Sequence, residues 1–156
     1  MKSMIAALVA SVSAVALTAY AQNAPAPAAP QPAANPTDVP GLGEIMTLQQ
    51  LRHIKLWFAG HDGNWPLAAY EIGELQEGFE DVDKLVGGDT VDREVGAPIK
   101  GLQKVVADKD RAAFPAAFDK LSAGCNSCHH LLDHPFIAIQ RPTLLPYSDQ
   151  SFTPQK

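Results

Sequence analysis

Cys125-Asn126-Ser127-Cys128-His129 places two thiols and an imidazole within five residues, the C-x-x-C-H arrangement to which a c-type haem is attached. Side chains three and four positions apart share one face of a helix, so Cys125, Cys128 and His129 project together. The thiols can form thioethers to the two vinyl groups of one porphyrin, and the imidazole can reach the iron as proximal ligand. These are also the only two cysteines of the chain. Two other chemistries use the same residues. A redox C-x-x-C opens a helix inside a βαβ unit, whereas here it closes a long apolar-periodic segment. A zinc site would draw on His129, His130 and His134, although Cys2His2 sites usually take their ligand pairs from separated segments.

The N-terminus is consistent with attachment outside the cytoplasm. Met1-Lys2-Ser3 is a basic start, Met4 to Leu17 is apolar, and Ala19-Tyr20-Ala21 is a small-x-small site. The expectation is a signal peptide over 1–21, cleaved after Ala21, and a periplasmic protein. The apolar run is short and rich in Ala and Ser, which argues against stable membrane insertion. Residues 22–40 carry Pro25, Pro27, Pro30, Pro32, Pro36 and Pro40 among alanines, the composition of an extended linker. One domain is expected over 41–156, with its tail from about 133. Without Lys2 the chain has 11 basic against 17 acidic side chains. No basic patch is present, so nucleic acid is not an expected partner; mild acidity would orient a basic redox partner.

Helical periodicity dominates the rest. A first helix is expected from about Gly43 to Gly60, with Met46, Leu51, Ile54, Trp57 and Phe58 inward and Gln49, Arg52 and Lys55 turned elsewhere. Asn64 is an N-cap candidate with Pro66 in the first turn. The second helix carries Ala68, Ile72, Leu75, Phe79, Val82 and Val86 as its apolar stripe, with Glu71, Glu74, Glu77 and Asp81 on solvated faces, and Gly87-Gly88 ends it. Pro98 begins a shorter third helix with Ile99, Leu102, Val105 and Val106 inward. The fourth starts near Asp108 or Asp110 and presents Phe114, Phe118, Leu121, Cys125 and Cys128. Pro115 demands a late start or a kink there. The pattern predicts an all-α, antiparallel four-helix bundle with an extended C-terminal tail. Both cysteines fall on the buried stripe, where bundles build cofactor sites.

With that motif on a last helix, the chain resembles class II c-type cytochromes, the cytochrome c-prime group, over roughly Gly41 to Asp133. The resemblance implies one haem c, held by Cys125 and Cys128 and ligated by His129. It places a residue early in the first helix across the iron: methionine in low-spin members, an apolar residue in gas-binding ones. Met46 is the candidate distal ligand, and His53, seven residues on along the same face, is the second choice. Core packing is the competing role for each. His61 and His130 read as loop and surface residues. The chain departs from the group by continuing 27 residues past His129, and by Asp133 and His134 where a basic residue is usual. Arg141 has the planar fork that suits a haem propionate, a plain surface role being the alternative.

The function expected is one-electron transfer with a periplasmic redox partner. The alternative is a five-coordinate haem that binds NO or CO as sensor or scavenger, and a zinc-binding protein is the lesser alternative. No second cofactor motif or nucleophile–base pair points to an enzyme. Class II relatives often dimerise, which makes a homodimer an expectation by resemblance.

Overall fold

In the computed structural model the described residues are 40–155. The expected signal peptide and all but the end of the linker lie outside them. Four helices follow in order: α1 (Leu42–Asp62), α2 (Trp65–Val86), α3 (Thr90–Ala107) and α4 (Phe114–Leu131). Short connections force consecutive helices to fold back on each other, and the result is an all-α four-helix bundle. Among the described residues no helix is long and apolar enough to cross a membrane.

Local chemistry sets most of the boundaries. The Glu44 carboxylate accepts from the Gly41 N–H at 2.9 Å, closing the start of α1. Gly63 ends it with φ +81°, a left-handed conformation that glycine adopts without a Cβ clash. The Asn64 side chain accepts from the Leu67 N–H at 3.3 Å, and Pro66 sits in the first turn of α2. Gly87 and Gly88, both at positive φ, end α2 as expected. The start of α4 is late: Asp110 accepts from the Ala112 and Ala113 N–H groups in a turn, and the helix begins at Phe114. Pro115 thus falls in the first turn, where its missing N–H has no helical partner to lose.

Three expectations are corrected. α3 begins at Thr90, and Pro98 lies inside it. The proline cannot donate to the Glu94 carbonyl four residues back, so that oxygen is freed from the helix ladder. The last helix packs directly against it. A Cβ built on Gly124 would lie 2.6 Å from the Glu94 oxygen, so only glycine permits this approach. Gly124→Ala is expected to cost about 1–3 kcal/mol by overpacking. Gly101→Ala, in open space on α3, should instead stabilise by about 0.5–1 kcal/mol. Urea denaturation of the two variants checks the opposite signs.

The inner face of α1 is also rotated by about one residue from the expected arc. Its buried positions are Ile45, Gln49, His53, Leu56, Trp57, Ala59 and Gly60, whereas Leu51 is 38% exposed. Gln49 is buried because both ends of its amide are satisfied. Its Nε2 donates to the Leu75 carbonyl at 2.7 Å, and its Oε1 accepts from Arg52, which pairs with Glu74. Lastly, Glu71 is 2% exposed rather than solvated. Burial pushes its carboxyl above the usual range, with Lys55 as the main opposing influence.

The tail is extended, as the prolines imply, and is tied to the bundle along its length. Arg141 forms an ion pair with Asp119 at 2.5 Å, and its guanidinium lies 4.6 Å over the Trp57 ring. Phe152 is buried against Phe58 and Tyr147, and the Asn64 amide donates to the Thr153 carbonyl. The tail completes the core.

Candidate haem site

The candidate thioether and iron-ligand residues, Met46, His53, Cys125, Cys128 and His129, line one cavity of about 340 Å³; Arg141 does not. Its floor is apolar, formed by Leu75 and Phe79 of α2, Val91 and Val95 of α3 and Leu121 of α4. One wall is the last two turns of α4. The facing wall is the first half of α1, where Gly43, Met46, Gln50 and His53 follow steps of three, four and three, one helical face. Leu132, the zinc candidate His134, Ile137 and Ile139, all beyond the end of α4, complete the lining. The cavity exists because α1 and α4 meet closely only further along. There Gly60 admits the Phe114 ring, and Trp57 packs on Phe114 and Phe118.

The thiols lie on the inner side of α4, with Cys128 buried and Cys125 half-buried. Burial pushes Cys125 up to about 12, and Cys128 is raised for the same reason. Their place in the final turns of a helix, at the negative end of its dipole, also disfavours a thiolate. Thiol exchange needs the reverse, an electropositive site that depresses the pKa. This geometry does not suit a reactive dithiol.

The His129 ring is oriented by its own backbone neighbourhood. Its Nδ1 is 2.9 Å from the Ile137 carbonyl oxygen, which can only accept, so Nδ1 carries the proton. In the neutral tautomer with that proton, Nε2 keeps its lone pair, the form a metal-ligating imidazole takes. His130 is exposed, as is His61 at the end of α1. Among the described residues no three His, Cys, Asp or Glu side chains converge to hold a metal ion. The donors therefore fit a macrocycle that brings its own four equatorial ligands better than a bare zinc ion. Two thiols beside one free imidazole nitrogen, over an apolar floor, fit haem.

Across the cavity the two candidates differ. Met46 is half-buried on the wall. His53 is buried, its ring 4.3 Å from that of Phe118. The Ser122 hydroxyl donates to the Phe118 carbonyl at 3.2 Å, so it accepts from His53 Nε2 at 2.8 Å. Arg141, engaged with Asp119 and Trp57, takes the surface alternative. Ser122 escaped the sequence reading, being a polar residue of ordinary type within the apolar stripe of α4, whereas Gln50 lies on the face of α1 shared by Met46 and His53.

Burial lowers the pKa of His53 from 6.5 to about 4. The unfolded chain therefore binds this proton first as pH falls. The stability due to a neutral His53 is complete above pH 6.5 and is lost progressively down to pH 4, on the order of 3 kcal/mol in all. Urea midpoints of the wild type and His53→Gln across this window should show the steeper acid loss in the wild type.

No protein-family model, curated protein or solved structure matches this chain.

Proposed function

We propose that this protein is an exported mono-haem c-type cytochrome, of the class II kind that its sequence resembles, and that it carries single electrons to or from a periplasmic partner without catalysing turnover. The observation that carries the reading is the convergence of Cys125, Cys128, His129 and Met46 on one apolar cavity. Haem, when bound, supplies an iron that gains and loses one electron. The chain's residues do the rest. Cys125 and Cys128 would hold the porphyrin through their sulfurs, and His129 would offer Nε2 to the iron. Leu75, Phe79, Val91 and Val95 would keep water from the bound group, and burial together with the ligand set would tune its potential. Met46 would supply the second protein ligand to the iron, whereas His53 is buried against Phe118 with its Nε2 bonded to Ser122.

Absorbance of the exported protein tests this directly. A Soret band that survives acid-acetone extraction is expected, and its absence removes the reading. In the reduced state sharp α and β bands unchanged by CO are expected. A broad high-spin spectrum that shifts with CO overturns ligation by Met46 and leaves gas binding as the function. Met46→Ala should convert the first spectrum into the second, whereas His53→Ala should keep the sharp bands.

A further inference from the structure

The tail fastens to α4 on either side of the carbonyl that orients His129. On one side, Asp133 adopts φ +60°, the His134 N–H donates to the His129 carbonyl at 2.7 Å, and the Ile137 N–H donates to the His134 carbonyl at 3.0 Å. This closes a four-residue turn with Pro135 at its second position, where a fixed φ favours turning. On the other side, Asn126 holds Ile139 by both ends of its amide. Nδ2 donates to the Ile139 carbonyl at 2.8 Å, and Oδ1 accepts from the Ile139 N–H at 2.6 Å. Ile137 sits between the two fastenings, and its carbonyl accepts from His129 Nδ1. Asn126 makes neither bond to another part of α4. Both hydrogen bonds that its side chain makes go to the tail.

Resting on the haem reading, we propose that Asn126 is a positioning residue for the iron ligand: by latching Ile139 it holds the Ile137 carbonyl against His129 Nδ1. A carbonyl that accepts from a ligating imidazole fixes the ring's tautomer and rotation and makes the ligand more basic. A more basic ligand favours the ferric state, so the latch lowers the midpoint potential. The device joins a variable position of the C-x-x-C-H run to a residue 13 positions downstream, and it gives the tail a role at the iron.

The experiment compares wild type, Asn126→Ala and Ile139→Pro as full-length, exported holo-proteins. Ile139→Pro deletes the tail's amide donor while leaving the C-x-x-C-H run intact, so it decides the matter if Asn126→Ala attaches no haem. Both variants should show a raised midpoint potential. Hydrogen exchange at the His129 ring N–H, followed by nitrogen-15 NMR, should be faster by up to about tenfold, the factor that the loss of one net hydrogen bond allows. An unchanged potential together with unchanged exchange in the variants overturns the latch. Absence of covalent haem from the wild type is a different result. It overturns the cytochrome reading, and the ring exchange of the haem-free chain then decides separately whether Asn126 holds the tail on His129.

Discussion

Cys125→Ala/Cys128→Ala, exported alongside the wild type, should retain its helices and lose all haem on acid-acetone extraction. The expected difference is all-or-none because the thioethers are the only covalent links available; the chain has no other cysteine. Alanine is the right replacement. A serine hydroxyl left unpaired on this apolar wall would cost about 1–3 kcal/mol per site and confound loss of haem with loss of fold. Each single variant keeps one bond and leaves one vinyl group conjugated with the ring, so its reduced bands should move to longer wavelength. Extraction-resistant haem in the double variant would overturn the assignment of both thiols.

Phe118→Ala should cost about 3–5 kcal/mol, the range for emptying a fully buried aromatic site. That is a large share of the roughly 5–15 kcal/mol that holds a typical domain. Phe118 has no exposed surface and packs at ring-centroid distances of 4.3 Å to His53, 5.1 Å to Trp57 and 6.1 Å to Phe114. Neighbouring rings are fixed by each other and cannot collapse into the space. The variant should also change the acid limb of stability. Opening the site to water moves the His53 pKa from about 4 back toward its ordinary value, which flattens the loss between pH 6.5 and 4. Phe118→Leu, which keeps most of the volume, should cost less than about 1.5 kcal/mol. Equilibrium urea unfolding and an NMR titration of His53 measure both effects; an Ala variant within 1 kcal/mol of wild type would refute the packing argument.

The helical repeat was legible where inward positions are apolar. In α2 and α4 the stripes of Ile72, Leu75 and Val82 and of Phe114, Phe118 and Leu121 are buried as the periodicity requires. In α1 the inner face holds Gln49 and His53. Reading apolar residues alone therefore turned the arc toward Leu51. Nothing local tells a buried glutamine from a surface one. What makes Gln49 tolerable is the Leu75 carbonyl 26 residues away. The burial of Glu71 is hidden for the same reason, since charge type is a statement about cost and tertiary surroundings decide whether that cost is met. Proline prefers the first turn of a helix, which points to a start at Pro98, yet here helix packing outweighs one missing hydrogen bond. The tail's extended character was visible in its prolines, but the contribution of Phe152 to the core was not.

By itself, then, the sequence determined the helical periods, their glycine and asparagine boundaries, and the placing of Cys125, Cys128 and His129 on one face of the last helix. All of these follow from short-range geometry that repeats every three to four residues. Only the tertiary structure decided what stands across from them. Met46 lines the cavity, His53 is hydrogen-bonded to Ser122, and a carbonyl from the tail accepts from the ring of His129. Those partners lie up to 69 residues apart, and their meeting depends on how α1, α4 and the tail pack, which no local spacing encodes.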